Sequence, residues 1–136
     1  ADHVIRNIEG FKNIIQDGYY AAKEDRIITF GVPPTAPETG YGYIECRDDL
    51  DINSKKPVKI EKFLEKPSKN LAKDLIKNNK YVWNSGIFML KAKLALKEIE
   101  SLAPEIYYPS FDSLKNSEID LDFIRLHRES FEKCLN

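Results

Sequence analysis

The chain has 136 residues, 42% of them hydrophobic, with 21 Lys+Arg against 22 Asp+Glu; that is enough apolar material for one domain with a core and too little for two comfortable ones. A formal net charge of -1 lacks the clustered basic excess of a general nucleic-acid binder, so no nucleic-acid partner is expected. No apolar run reaches the roughly 18 residues of a membrane span and no charged-then-apolar leader opens the chain, so neither a membrane partner nor a signal peptide is expected.

Ala1 opens the chain and Met89 is its only methionine, which predicts that residue 1 is not a translation start. Asp2 and His3 stand in a short turn where a strand arriving from upstream would hand over to a helix. Such turns line ligand crevices, although a frayed terminus is the plainer role for Asp2. From Asn7 to Ala22 the apolar residues Ile8, Phe11, Ile14, Ile15, Tyr19 and Ala22 recur at helical spacing, with Asn7 as N-cap. Ile27 to Val32 is β-branched, aromatic and nearly all apolar, which predicts a buried central strand. Pro33 to Gly40 follows as a stiff loop. Tyr41-Gly42-Tyr43-Ile44-Glu45-Cys46 is a short strand entered through two nearby glycines, Gly40 and Gly42. Glycine there permits a positive φ and the close approach of another backbone or a ligand; a tight bend before the strand is the bland alternative. Cys46 and Cys134 form neither a CxxC pair nor His/Cys ligand spacing, which predicts two reduced thiols in a cytoplasmic protein.

Arg47 to Pro57 is a polar excursion. Val58 to Glu65 alternates as a two-faced strand and stops at Pro67, which cannot donate to a ladder. Glu65 and Lys66 therefore sit where a strand ends. A carboxylate accepts from two neighbouring hydroxyls and an ammonium suits a phosphate, so the pair fits a sugar phosphate; a solvated surface pair is the bland alternative. Strict alternation puts the two side chains on opposite faces. A twist or bulge would reconcile them, with Pro67 holding Lys66 extended. Ser68 caps a helix striped by Leu71, Ala72, Leu75 and Ile76. Lys80 to Gly86 interrupts the pattern, and Gly86 to Leu90 predicts a second buried strand. Asn84 is either a turn residue bonding its own backbone or an amide that reads ligand hydroxyls. Ala95, Ile99 and Leu102 stripe a helix that Pro104 stops, and Phe123, Leu126, His127 and Phe131 predict a final helix from about Asp120 to Lys133, with His127 as packing or solvated surface.

Four pieces together resemble mannose-1-phosphate guanylyltransferases: Ala1-Asp2-His3, Pro34-Thr35-Ala36-Pro37-Glu38-Thr39-Gly40-Tyr41-Gly42-Tyr43-Ile44, Phe63-Leu64-Glu65-Lys66-Pro67 and Trp83-Asn84-Ser85-Gly86-Ile87-Phe88. They stand in that family's order. The third piece alone is shared by sugar-1-phosphate nucleotidyltransferases at large, whereas the second and fourth in combination are specific. The resemblance implies an α/β fold, a fragment of a Rossmann-like three-layer nucleotidyltransferase domain with a mixed, mainly parallel sheet. Residues 1–136 would be a partial domain, without the family's N-terminal Gly-rich loop and without its C-terminal part.

The implied activity is a transferase reaction that makes GDP-mannose and pyrophosphate from GTP and mannose 1-phosphate, within polysaccharide biosynthesis, with Mg²⁺ as cofactor. Carried over residue by residue, Asp2 would hold the metal and Lys66 would contact the sugar phosphate, these two being the catalytic candidates. Glu65 and Asn84 would bind hexose hydroxyls, and the Gly40-Tyr41-Gly42 backbone would lie against the ring. The segment alone is expected to be inactive. A related hexose-1-phosphate nucleotidyltransferase, or a non-catalytic sugar-nucleotide sensor or assembly module, is the alternative. Base and hexose selectivity stay open, as does the oligomeric state, a homo-oligomer included.

Overall fold

The computed structural model describes residues 4–51, 54 and 56–134. The chain divides into two compact units, Ala1–Leu90 and Lys91–Asn136.

In the first unit, helix α1 runs Ile8–Ala22 and its N-cap is Asn7, whose side-chain oxygen accepts the Gly10 N–H at 2.9 Å. The cap satisfies one of the amides that every helix start leaves over. Gly18 is buried on this helix because a Cβ there would come within 2.7 Å of Phe30 Cζ. Strands β1 (Ile28–Val32), β2 (Tyr43–Cys46), β3 (Ile60–Leu64) and β4 (Tyr81–Met89) form one sheet in the order β1-β4-β2-β3. Helix α2 (Lys69–Leu75) lies between β3 and β4 in the chain, capped by Ser68 Oγ, which accepts the Leu71 N–H at 3.4 Å.

The α/β class holds, but the mainly parallel sheet does not: every neighbouring pair in this sheet is antiparallel. β2 and β3 are a hairpin, and β4 pairs with the free side of β2. The strands joined through α2 thus run parallel to each other but have β2 between them, so the crossover does not make a parallel ladder. The second correction concerns β1. It lies at the edge of the four strands, paired only with β4, and Val32 is 44% exposed while Phe30 alone is buried. Third, Trp83, Asn84 and Ser85 do not interrupt a strand but belong to β4. The strand carrying Lys62 is also shorter than its alternation suggested.

Register decides which side chains share a face. Val32, Trp83, Tyr43 and Leu64 are aligned across the sheet. Tyr43, Ala72 and Leu75 form the buried core, with Leu64, Ile76, Tyr81 and Trp83 packed against it. Phe30, two residues before Val32, meets α1 on that same side. Both helices therefore cover one face, leaving Gly42, Asn84 and Glu65 to the other by alternation.

In the second unit, α3 (Ala92–Leu102) ends at Ala103 and Pro104 begins α4 (Pro104–Lys115), a position where the missing N–H costs nothing. The final helix expected over residues 120–133 is mostly absent. Instead β5 (Glu118–Asp120) and β6 (Phe123–Arg125) form an antiparallel hairpin, followed by a single turn, α5 (Arg128–Phe131). Leu121 sits in the hairpin turn at φ 52, a conformation that ends any helix, and Arg125 pairs with Asp120 across the ladder. Alternation in Glu118-Ile119-Asp120 competes with the helical spacing of Phe123, Leu126 and Phe131, and pairing decides for the strand. Ser113 is fully buried: its Oγ donates to His127 O at 3.0 Å, and the His127 N–H donates to Ser113 O at 3.0 Å. His127 itself is exposed, with Nδ1 2.9 Å from Ser130 Oγ, in keeping with a solvated surface role.

Candidate functional site

Three of the sequence motifs meet at one end of the sheet. Tyr43 is aligned with Leu64 on one side and Trp83 on the other. The residue before Tyr43 is consequently flanked by the residues that follow Leu64 and Trp83. A Cβ built on Gly42 would lie 3.0 Å from Glu65 Oε2 and 3.7 Å from Asn84 Cβ, and the Asn84 N–H donates to Gly42 O at 2.8 Å. Gly42 is thus a place where the neighbouring strands come close. Neither Gly40 nor Gly42 takes a positive φ, and a side chain at Gly40 would enter open space.

The geometry at Lys66 differs from expectation. Its φ is 43, in the left-handed region, where a pre-proline extended backbone was predicted. The turn is imposed from both sides, by the end of β3 at Leu64 and by buried Pro67 leading straight into the Ser68 cap. An L residue with a Cβ is strained there by about 1–2 kcal/mol. The consequence is chemical. The chain bends at Lys66, and Lys66 Nζ comes to 3.6 Å from Glu65 Oε1, resolving the conflict with strict alternation. Both side chains are largely exposed, at 66% and 75%. An ion pair in that setting contributes at most about 1 kcal/mol, so either partner is free to exchange the other for a ligand group.

Tyr41 is half-exposed and its ring meets Trp83 edge-on, with centroids 5.2 Å apart. The Trp83 indole N–H is buried and has no acceptor among the described residues. The loop before β2 is tied down by Tyr43, whose hydroxyl donates to Glu38 O at 2.9 Å. Asn84 takes the turn role of its two expected readings: Oδ1 accepts the Gly86 N–H at 3.0 Å. Its Cβ lies 3.7 Å from the place a Cβ on Gly42 would take. The residue that periodicity missed is Thr29 on β1, whose hydroxyl reaches Asn84 Oδ1 at 3.4 Å and Ile87 O at 3.1 Å. Inside a run of β-branched and aromatic residues, a threonine reads as a strand former; its hydroxyl was the available signal.

Asp2 lies outside the described residues. Among the described residues no group of three or more His, Cys, Asp or Glu side chains could hold a metal ion. These residues alone do not make a magnesium centre. Burial pushes the Cys46 thiol up, and burial together with the neighbouring Glu45 carboxylate pushes the Tyr81 hydroxyl up. Both thiols are free.

Residues 1–128 match the family model described as nucleotidyl transferase. The chain is 38% identical over 134 residues to a mannose-1-phosphate guanylyltransferase of Salmonella muenchen, an alignment that covers 98% of this chain and 28% of that protein. It thus spans under a third of that relative's length. Among solved structures, a mannose-6-phosphate isomerase from Helicobacter pylori superposes with a TM-score of 0.77 at 30% identity, over 96% of this chain and 50% of that one. A second, named as a mannose-1-phosphate geranyltransferase from Thermus thermophilus, gives 0.63 at 29% identity, over 73% and 28%.

Proposed function

We propose, from a chain that belongs to the nucleotidyl transferase family, that it provides the hexose-phosphate half of a mannose-1-phosphate guanylyltransferase site. The observation that carries this is the convergence of Gly42, Glu65 and Asn84 on one sheet end, with Lys66 turned back beside Glu65. The names of the relatives support the same chemistry.

In the proposed reaction a phosphate oxygen of mannose 1-phosphate attacks the α-phosphorus of GTP. One P–O bond forms, the bond to the bridging oxygen of the β-phosphate breaks, and pyrophosphate leaves with that electron pair. Such transfer depends on positioning and charge neutralisation. Lys66 places a compact positive charge against the sugar phosphate. Glu65 accepts from ring hydroxyls, Asn84 donates to them, and the Gly40-Tyr41-Gly42 backbone lies against the hexose, where any side chain at Gly42 would crowd Glu65. Asp2 would hold Mg²⁺, which would screen the charge of the facing phosphates. A cytoplasmic setting is part of the same reading; among the described residues no helix is long and apolar enough to cross a membrane.

The test is an assay of the full-length protein with GTP, mannose 1-phosphate and Mg²⁺. GDP-mannose and pyrophosphate should appear together, and no pyrophosphate release would end the proposal. Turnover across other nucleotides and hexose 1-phosphates separates the related transferases. Binding without turnover would favour a sensor or assembly module. The likeness to the Helicobacter pylori isomerase favours one second reading, namely isomerisation of mannose 6-phosphate, which the same preparation can be assayed for. Residues 1–136 on their own contain no Gly-rich triphosphate loop and are expected to give no GDP-mannose.

A further inference from the structure

β4 does not pass β1 in simple register. Between the aligned pairs Thr29 with Phe88 and Gly31 with Asn84, β1 advances through Phe30 alone while β4 carries Ser85, Gly86 and Ile87. The excess makes a bulge. Three local devices shape it. Gly86 takes φ 72, Asn84 Oδ1 accepts the Gly86 N–H at 3.0 Å, and Ser85 Oγ accepts the Ile87 N–H at 3.2 Å. Thr29 reaches the same bulge from across the sheet. Its Oγ1 lies 3.1 Å from Ile87 O and 3.4 Å from Asn84 Oδ1, so its single proton serves both sides, the first more strongly.

We infer that Thr29 is a positioning residue for Asn84: its hydroxyl clasps the bulge in β4, so that Asn84 keeps its oxygen turned inward and offers its two amide N–H donors beside Gly42 and Glu65. The chemistry follows from the inventory of groups. With the two lone pairs of Oδ1 engaged by the Gly86 N–H and the Thr29 hydroxyl, the amide can only donate to a ligand, whereas Glu65 can only accept while ionised. The sheet end then reads a polyol through one hydroxyl oxygen that accepts and a neighbouring hydroxyl that donates. A free Asn84 could present either end of its amide and would lose that polarity. This deepens the sugar-phosphate reading and rests on it for the identity of the polyol, but the clasp exists or fails on its own.

Two variants test it. Thr29→Val keeps the β-branched shape and removes the hydroxyl, whereas Thr29→Ser keeps the hydroxyl. In ¹⁵N spectra of the protein, the side-chain amide pair of Asn84, assigned by its loss in Asn84→Asp, should shift and exchange faster with solvent in Thr29→Val and stay in place in Thr29→Ser. In the full-length protein, Thr29→Val should raise KM for mannose 1-phosphate about three- to tenfold, the range of one net hydrogen bond, with KM for GTP unchanged; Thr29→Ser should restore KM. Unchanged Asn84 amide signals in Thr29→Val, or equal damage from both variants, would overturn the inference. If the wild type does not turn over mannose 1-phosphate, the function proposal falls and the amide signals still decide the clasp.

Discussion

Gly42 and Tyr43 are adjacent in the chain and belong to opposite faces of the same sheet. Tyr43 is fully buried under α2 with Ala72 and Leu75. Gly42 has no side chain, and the space a Cβ would take is shared with a carboxylate and an asparagine. The face under the helices is covered and concerned with stability; the other also buries Ile44 and Cys46 further along β2, but at Gly42 its end is polar, and that end depends on what is left unfilled. A single-residue slip of β2 would exchange the two roles, so the register that builds the core also places the site. Substitutions on the two faces should therefore separate stability from ligand binding.

The largest effect is expected from Tyr43→Ala, which empties the core and releases the loop held through Glu38 O. Urea unfolding should show a loss of about 3–5 kcal/mol, and a loss below about 1 kcal/mol would contradict this core. Across the sheet, Glu65→Ala should leave unfolding nearly unchanged, because the residue is exposed, and should cut kcat/KM for mannose 1-phosphate about 10- to 100-fold in the full-length protein. Gly42→Ala should act between these limits. It displaces the end of a flexible side chain, so stability falls by less than about 1 kcal/mol, while the displaced Glu65 carboxylate lowers kcat/KM about tenfold.

Lys66→Gly sets the two faces against each other within one residue. Relief of the left-handed strain should raise stability by up to about 1 kcal/mol, while loss of the ammonium weakens binding of the sugar phosphate. A variant destabilised in urea would refute the strain. The smallest effect belongs to Cys46 on β2. Its thiol is raised in the folded state, so the native protein holds that proton more tightly than the unfolded chain does. Its contribution is fully present below the ordinary thiol range and is lost as pH rises through the raised value. Cys46→Ser should flatten that alkaline decline, and iodoacetamide should label the less buried Cys134 faster than Cys46.

How much was legible varies with the reach of the interactions. Asn7 and Ser68 announced their helix starts because a cap bonds an amide three residues away, and Pro104 announced its boundary because it has no N–H to continue the preceding helix. The end of β3 and the start of β2 were visible as motifs, but nothing within Phe63-Leu64-Glu65-Lys66-Pro67 says that its backbone turns left-handed at Lys66. The bulge in β4 was equally hidden. Trp83-Asn84-Ser85-Gly86 reads as a break in periodicity, and only the presence of β1 alongside makes it a strand with extra residues. The β5–β6 hairpin replaced most of a helix although Phe123, Leu126 and Phe131 keep helical spacing, because Phe123, Ile124 and Arg125 find partners in Asp120, Ile119 and Glu118, which spacing alone does not reveal.

By itself, the sequence determined the caps, the two-faced alternation of the strands and the chemical identities gathered at their ends, since these depend on neighbours a few bonds away. Only the tertiary structure decided that β2 lies between β3 and β4, that neighbouring strands run antiparallel, and that Gly42, Glu65 and Asn84 share one side. The physical reason is that alternation tells each residue which way it faces, whereas strand order tells it whom it faces, and strand order is set by pairing between segments far apart in the chain.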